Sequence, residues 1–250
     1  MKTSNSFNMI IDPQNLARIQ VLTTHEVAFP NINYTNFEDL NRTRTTLLAA
    51  YTIINRKTPE YLNGLQWDSN GNIVWQNDKL GFLHADILRM IDNVDINNDH
   101  ELRKIFVYIQ LWGGNTGRGF FTRGGGFDAN FNLEIYRQGI NHIRIGKSIK
   151  ALSLLNSLSF LSTAFSTKHM HFWSLGELPI YDSIIAKLVF GRPIYPYCAA
   201  GHYNEYIAAL DDLIQELREV HNQNTTRRII ERNLFNWAST EHGVIWLANR

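Results

Sequence analysis

The sequence predicts a mainly α-helical fold carrying one small β-hairpin. Three observations lead there. Apolar residues recur at helical spacing in segment after segment. No buried strands alternate with those segments, which argues against a parallel α/β sheet. A single strong hairpin signal stands among them.

Taken in order, residues 1–30 show no clear periodicity. Leu47, Leu48, Tyr51 and Ile54 predict a helix over 43–54, which Asn55-Arg56-Lys57-Thr58-Pro59 ends. Trp67 and Trp75 flank Asp68-Ser69-Asn70-Gly71-Asn72, and Asn-Gly is the strongest short hairpin cue, so one hairpin is expected within 65–76. Leu102, Ile105, Phe106 and Ile109 mark the next helix, and Leu133, Tyr136, Ile140 and Ile143 another. Ile149, Leu152, Leu155 and Leu158 mark a third. A long amphipathic pattern runs through Tyr206, Leu210, Leu213, Ile214, Leu217 and Val220. Ile229, Ile230, Leu234 and Trp237 mark a last helix. The expected organisation is an N-terminal helical segment over 1–100, containing the hairpin, and a helical core over 101–250, or one continuous domain.

With 250 residues, 44 % of them apolar and 19 % charged, the chain has the composition of a globular protein with a sizeable core. No apolar run approaches the ~20 residues a membrane helix needs. The opening Met1-Lys2-Thr3-Ser4-Asn5-Ser6 leads into no apolar stretch, so no secretory leader is expected. The single cysteine, Cys198, excludes an internal disulfide and a cysteine-based zinc cluster; the expected compartment is the cytoplasm. Net charge is +1, but its distribution is uneven. Residues 1–102 carry 8 basic and 12 acidic side chains, residues 103–150 carry 8 and 2, and residues 151–250 carry 8 and 9. A basic middle can form a phosphate-facing patch on a neutral protein, or can simply solvate helix faces.

Seven of the sixteen glycines fall within 113–126. No Gly-Lys-Ser/Thr follows, so this is not a P-loop. Gly124-Gly125-Gly126-Phe127-Asp128-Ala129 fits the dinucleotide pattern only loosely, with a poor strand before it and no acidic residue near 148. The expectation is a long flexible loop that carries Arg118 and Arg123 and lets backbone N–H groups approach an anion or substrate. His169 and His171 are two apart and do not share a helix face, and the other histidines lack ligand spacing, so no metal is expected. No nucleophile elbow is present.

The stretch 160–193 is the most informative. One helix is expected to end near Phe160, with Lys168 in the first turn of a second, largely apolar helix. Among Phe165, Met170, Phe172 and Trp173 a lysine would be partly desolvated, which favours its neutral, nucleophilic form. Pro179-Ile180-Tyr181-Asp182-Ser183 then leads into Ile184, Ile185, Leu188 and Val189, placing Asp182 as a helix N-cap. The same residues also read as a surface lysine snorkelling past aromatics and a cap with no further role.

Phe165-Ser166-Thr167-Lys168-His169-Met170-His171-Phe172 followed by Leu178-Pro179-Ile180-Tyr181-Asp182-Ser183 resembles bacterial proteins with the 8-oxoguanine DNA glycosylase fold, within the wider helix–hairpin–helix DNA glycosylases. Leu111-Trp112-Gly113-Gly114-Asn115-Thr116-Gly117-Arg118 and Glu231-Arg232-Asn233-Leu234-Phe235 are similar to segments of the same proteins. The resemblance covers roughly 100–240 and leaves 1–99 unmatched.

The resemblance implies a helix–hairpin–helix glycosylase-like core acting on double-stranded DNA, without a cofactor, metal or obligate protein partner. It implies that Lys168 attacks C1′ of a nucleotide, expels the base and forms a Schiff base, with abasic-site lyase chemistry. Asp182 would stabilise the cationic sugar. Phe172 matches a base-pocket position, joined as candidates by Trp112, Gly113, Trp173 and Tyr181. The turn from Ser162 through Ser166 to Thr167 matches the hairpin that holds a DNA phosphate, and Arg118, Arg123, Arg144 and Lys147 are further phosphate candidates. Such an enzyme flips the base out of the duplex at a cost of a few kcal/mol. Oxidised guanine or a hypermodified base of phage DNA would be the substrate, in repair or in antiviral defence. Departures from the family pattern are a hairpin without glycine, a shorter Lys168–Asp182 interval, and Ile184 two residues past the aspartate where histidine is frequent. The alternatives are a catalytically inactive DNA-binding protein of the same fold, or an enzyme using Lys168 on a small carbonyl compound.

Overall fold

The structure, a computed structural model, describes residues 79–113, 117, 119–123, 126–128, 131–159, 161–190, 200–222 and 224–238. The expected helix over 43–54 and the hairpin within 65–76 lie outside these residues. The described residues are mainly helical, and no strand occurs among them. They fall into two compact units that divide between Ile180 and Tyr181.

The first unit holds α1 (Lys79–Asp92), α2 (Asp99–Trp112), the single turn α3 (Gly119–Thr122), α4 (Leu133–Arg144), α5 (Ser148–Asn156) and α6 (Thr163–Trp173). Local chemistry sets the starts of α2 and α4. The Asn98 side chain accepts hydrogen bonds from the N–H groups of His100 and Glu101, and Asn132 accepts from Ile135. Asp99 and Glu101 in the first turn of α2, and Arg144 in the last turn of α4, suit the helix dipoles. The apolar stripes then bury as their spacing requires: Leu102, Ile105, Phe106 and Ile109 on α2, and Leu133, Tyr136, Ile140 and Ile143 on α4.

α4 and α5 form an antiparallel pair, joined by a turn in which Gly146 takes a left-handed φ of 72°. Gly139 sits where the two helices approach most closely. A Cβ there would lie 2.9 Å from Leu155 Cδ2, inside a contact already fully buried. Arg137 ties this pair to the segment before α2: its Nε donates to the Ile96 carbonyl at 2.9 Å, and its guanidinium pairs with Glu134 and Asp99.

α6 is the central element and packs on α1, α2, α4 and α5. Nine of its eleven residues are buried, so it has no polar face. This explains why its sequence shows little helical periodicity. α1 packs on α2 across residue 100. Neither α1 nor α3, whose Phe120 and Phe121 are buried, is among the helices expected from the sequence.

The second unit holds α7 (Ser183–Phe190), α8 (Ala200–His221) and α9 (Arg227–Ala238), with α9 packed on both others. Tyr206, Leu210 and Leu213 of α8 and Ile230 and Leu234 of α9 are buried, while Ile229 is turned outward beside Ile230. Arg227 reaches Asp211 with two N–H groups, a bidentate pair that fixes α9 against α8.

The Gly139 contact yields a stability prediction. Gly139→Val inserts branched bulk against Leu155 and should destabilise the chain by about 1–3 kcal/mol, as overpacking does. A thermal or urea midpoint equal to that of the wild type would show that α4 and α5 can separate without cost.

Candidate functional site

Lys168 does not open its helix. α6 begins earlier than expected because Ser162, in extended conformation, occupies the N-cap position and its carbonyl accepts from Phe165 and Ser166 at 2.9 and 2.8 Å. Lys168 is therefore in the second turn. Its side chain is half-buried, and Nζ lies 4.4 Å from the centre of the Phe165 ring. Of the four residues expected around this amine, Phe165 lies against it, and Met170, Phe172 and Trp173 are buried in the core.

The same early start changes the residues expected to hold a phosphate. Ser162 is exposed, with no capping bond from its side chain. Ser166 and Thr167 are fully buried inside α6. Thr167 Oγ1 donates to the Ala164 carbonyl at 3.1 Å, and Ser166 Oγ is buried without a hydrogen-bond partner. These two hydroxyls face the core rather than the surface a phosphate would approach, because a helix surrounded by four others has no outer face at their positions.

Next to Lys168, His169 is completely buried and anchors a polar network. Its Nε2 is 3.0 Å from the Gln110 amide and its Nδ1 is 2.8 Å from the Tyr136 hydroxyl. Trp173 Nε1 donates to that hydroxyl at 2.8 Å. The indole can only donate, so Tyr136 accepts from it, and the hydroxyl oxygen keeps a second lone pair for a further donor. Gln110 Nε2 donates to His169 Nε2, so His169 carries its proton on Nδ1 and gives it to the Tyr136 oxygen. Burial, and after it the charge of Lys168, push the His169 pKa down to about 3.

Four residues expected in the site, Lys168, Gly113, Trp112 and Phe172, come together at one corner of this unit. A Cβ on Gly113 would lie 2.5 Å from the Phe165 ring, so Gly113 and the Lys168 ammonium pack on the same ring. Beside it, Trp112 meets Phe172 edge-on at 5.2 Å. His84, on the unforeseen helix α1, completes this group at 4.8 Å from Phe172 and 6.2 Å from Trp112. The Trp112 indole N–H is buried and has no hydrogen-bond partner. An unpaired buried donor is costly and calls for an acceptor.

The other candidates are placed differently. Trp173 is buried, spent on Tyr136 and covered by the Arg144 guanidinium at 5.7 Å. Arg123, Arg144 and Lys147 are exposed. Arg118 lies outside the described residues. The glycine segment is not an open loop where it is described. Gly113 faces Phe165, a Cβ on Gly117 would collide with the Gln110 carbonyl, and Phe120 and Phe121 between the glycines are core residues. These glycines are small for packing reasons, which composition cannot distinguish from a phosphate cradle. No three metal-binding side chains converge among the described residues.

Asp182 and Tyr181 belong to the second unit. Asp182 caps α7, accepting from the N–H groups of Ile184 and Ile185 at 3.0 Å each. Tyr181 is buried and stacks on Tyr206 at 5.1 Å.

Two outcomes follow from these environments. The neutral His169 of the folded chain contrasts with an unfolded chain that takes up a proton below about pH 6.5. Its contribution to stability is therefore complete above about 6.5 and is lost as pH falls toward 3. At pH 5 the wild type should lose about 2 kcal/mol more than His169→Gln relative to pH 7.5, measured by urea unfolding. Equal losses would mean that His169 protonates in place. For the cap, Asp182→Ala should cost about 1 kcal/mol and Asp182→Asn much less. Equal destabilisation by both would remove the capping role.

No protein-family model, curated protein or solved structure matches the chain. No helix among the described residues is long and apolar enough to cross a membrane.

Proposed function

We propose that this chain is a DNA glycosylase of the helix–hairpin–helix kind, which flips a damaged or modified base out of the duplex and breaks its N-glycosidic bond. The observation that carries this reading is the corner around Lys168. A half-buried amine shares one aromatic ring with Gly113, close to Trp112 and its unpaired buried N–H. A flipped base presents ring nitrogens and carbonyl oxygens that would accept from that indole. Partial burial favours the neutral amine that attack requires.

In the proposed reaction the Lys168 nitrogen forms a bond to C1′ while the bond from C1′ to the base breaks, and its electron pair leaves with the base. The nitrogen then loses protons and the sugar ring opens to the Schiff base, the species that leads to strand cleavage. Exposed Arg123, Arg144 and Lys147 would hold phosphates and make binding salt-dependent. Asp182 takes its role, stabilising the cationic sugar, from the resemblance of Pro179-Ile180-Tyr181-Asp182-Ser183. Oxidised guanine and hypermodified phage bases are the substrate classes.

A second reading, an inactive DNA-binding protein of the same fold, is favoured by one observation: Lys168 sits in the second turn of α6 with Ser166 and Thr167 buried behind it, unlike a lysine that opens its helix.

Borohydride should trap a covalent adduct between the chain and duplexes drawn from a panel of oxidised and phage-modified DNAs, scored in parallel for abasic sites. Lys168→Gln should abolish trapping while retaining DNA affinity, and Asp182→Asn should lose base release while keeping its cap. Full activity in Lys168→Gln would exclude Lys168 as the nucleophile. Blank base release on every duplex, with salt-dependent binding kept, would establish the inactive reading.

A further inference from the structure

The turn between α4 and α5 presents an aliphatic side chain among cations. Arg144, Ile145, Gly146 and Lys147 follow one another there, and all four are exposed. Ile145 is 61 % exposed, the most of any large apolar residue described. A single exposed aliphatic is ordinary on a protein surface. What sets this one apart is the charge around it.

Residues 135–176 contain no Asp or Glu, so α4 beyond Glu134, all of α5 and all of α6 bring no carboxylate. Lys150, in the first turn of α5, is exposed as well. Among the described residues, none of Arg144, Lys147 and Lys150 is in an ion pair. Glu134 and Asp99 pair with Arg137, near the other end of α4. Glu177, exposed after α6, pairs with none of the three.

The turn is both fixed and open. The Ile145 N–H donates to the Asn141 carbonyl at 3.2 Å, Gly146 to Ile143 at 3.0 Å and Lys147 to His142 at 2.8 Å. Behind the turn, the close approach of Gly139 to Leu155 holds α4 on α5. The branched Ile145 side chain is stiff, so it has little freedom to lose on contact. A Cβ built on Gly146 would meet nothing within 4 Å, which leaves room for another backbone against the tip. The Arg144 guanidinium lies over the Trp173 ring at 5.7 Å, and a guanidinium so placed keeps its N–H edge for a second partner.

We infer that this turn is a seat for duplex DNA, with Arg144, Lys147 and Lys150 on phosphates and Ile145 pushed into the minor groove as a wedge that kinks the duplex. Cations outside ion pairs fit a polyanion, and displacing the ions around its phosphates drives binding. One stiff aliphatic tip suits a base step, since an apolar wedge partly unstacks the step and bends the duplex by about 20–90°. A lipid surface would instead take up an apolar helix face, and α4 and α5 bury theirs. The inference rests on the glycosylase reading for its partner, duplex DNA, and needs no base to be released.

The test uses the full chain and a short unmodified duplex with a dye at each end and one fluorescent adenine analogue that brightens when it unstacks. The wild type should bind this duplex, bring its ends together and brighten the analogue. Lys147→Gln and Lys150→Gln should each lower the slope of log affinity against log salt by about 1. Ile145→Ala should keep that slope, lose the bend and the brightening, and bind about tenfold more weakly, the size expected when one aliphatic side chain is no longer withdrawn from water. All three positions are exposed, so thermal midpoints should match the wild type. A bend that survives Ile145→Ala would overturn the wedge, and slopes unchanged in both lysine variants would overturn the seat. No binding to the duplex, with Ile145-dependent binding to phosphatidylserine vesicles, would make the turn a membrane contact and overturn the proposal. Base release without an Ile145-dependent bend would leave the glycosylase reading standing and sink this one. An Ile145-dependent bend with no base released from any duplex would do the reverse.

Discussion

The buried imidazole of His169 is the constraint around which the first unit is organised. It stacks on Phe106 of α2 at 4.7 Å, accepts from Gln110 of the same helix, and is hydrogen-bonded to Tyr136 of α4. Trp173, at the far end of α6, closes the network on the same hydroxyl. Four side chains from three helices are thus joined in one network. Inside a protein such a network is strong when every member is paired and costly when one is not. It therefore fixes the rotation of α6 about its own axis. That rotation decides which way Lys168 points.

One residue before this anchor, Lys168 is turned out of the core by the same rotation that turns His169 in. The half-burial of the amine is thus a by-product of a structural requirement. The rotation also carries Ser166 and Thr167 inward, away from the hydroxyl-lined phosphate turn expected of them. One turn further on, His171 and Phe172 share the Lys168 side of α6 and meet His84 and Trp112 there.

Much of the helical architecture was legible because amphipathic helices announce themselves. α2 and α4 carry regular apolar stripes, polar caps at Asn98 and Asn132, and buried residues where the stripes lie. The Asp182 cap was equally legible, since an aspartate just before an apolar run has few other local uses. The start of α6 was misplaced because a helix buried on all sides has no stripe to read. α1, and with it His84, went unread although Leu80, Leu83, Ile87 and Ile91 recur at helical spacing along it. The glycine cluster was readable as a cluster and not as packing, because the ring of Phe165 and the carbonyl of Gln110 are brought against it only in three dimensions.

The sequence by itself determined the helical class and the Asp182 cap, because these follow from local periodicity and side-chain chemistry along the chain. Only the tertiary structure decided which hydroxyls are buried, why the glycines are small, and that His84 meets His171. Those outcomes depend on how helices rotate against one another, and rotation is set by contacts between residues far apart in the chain.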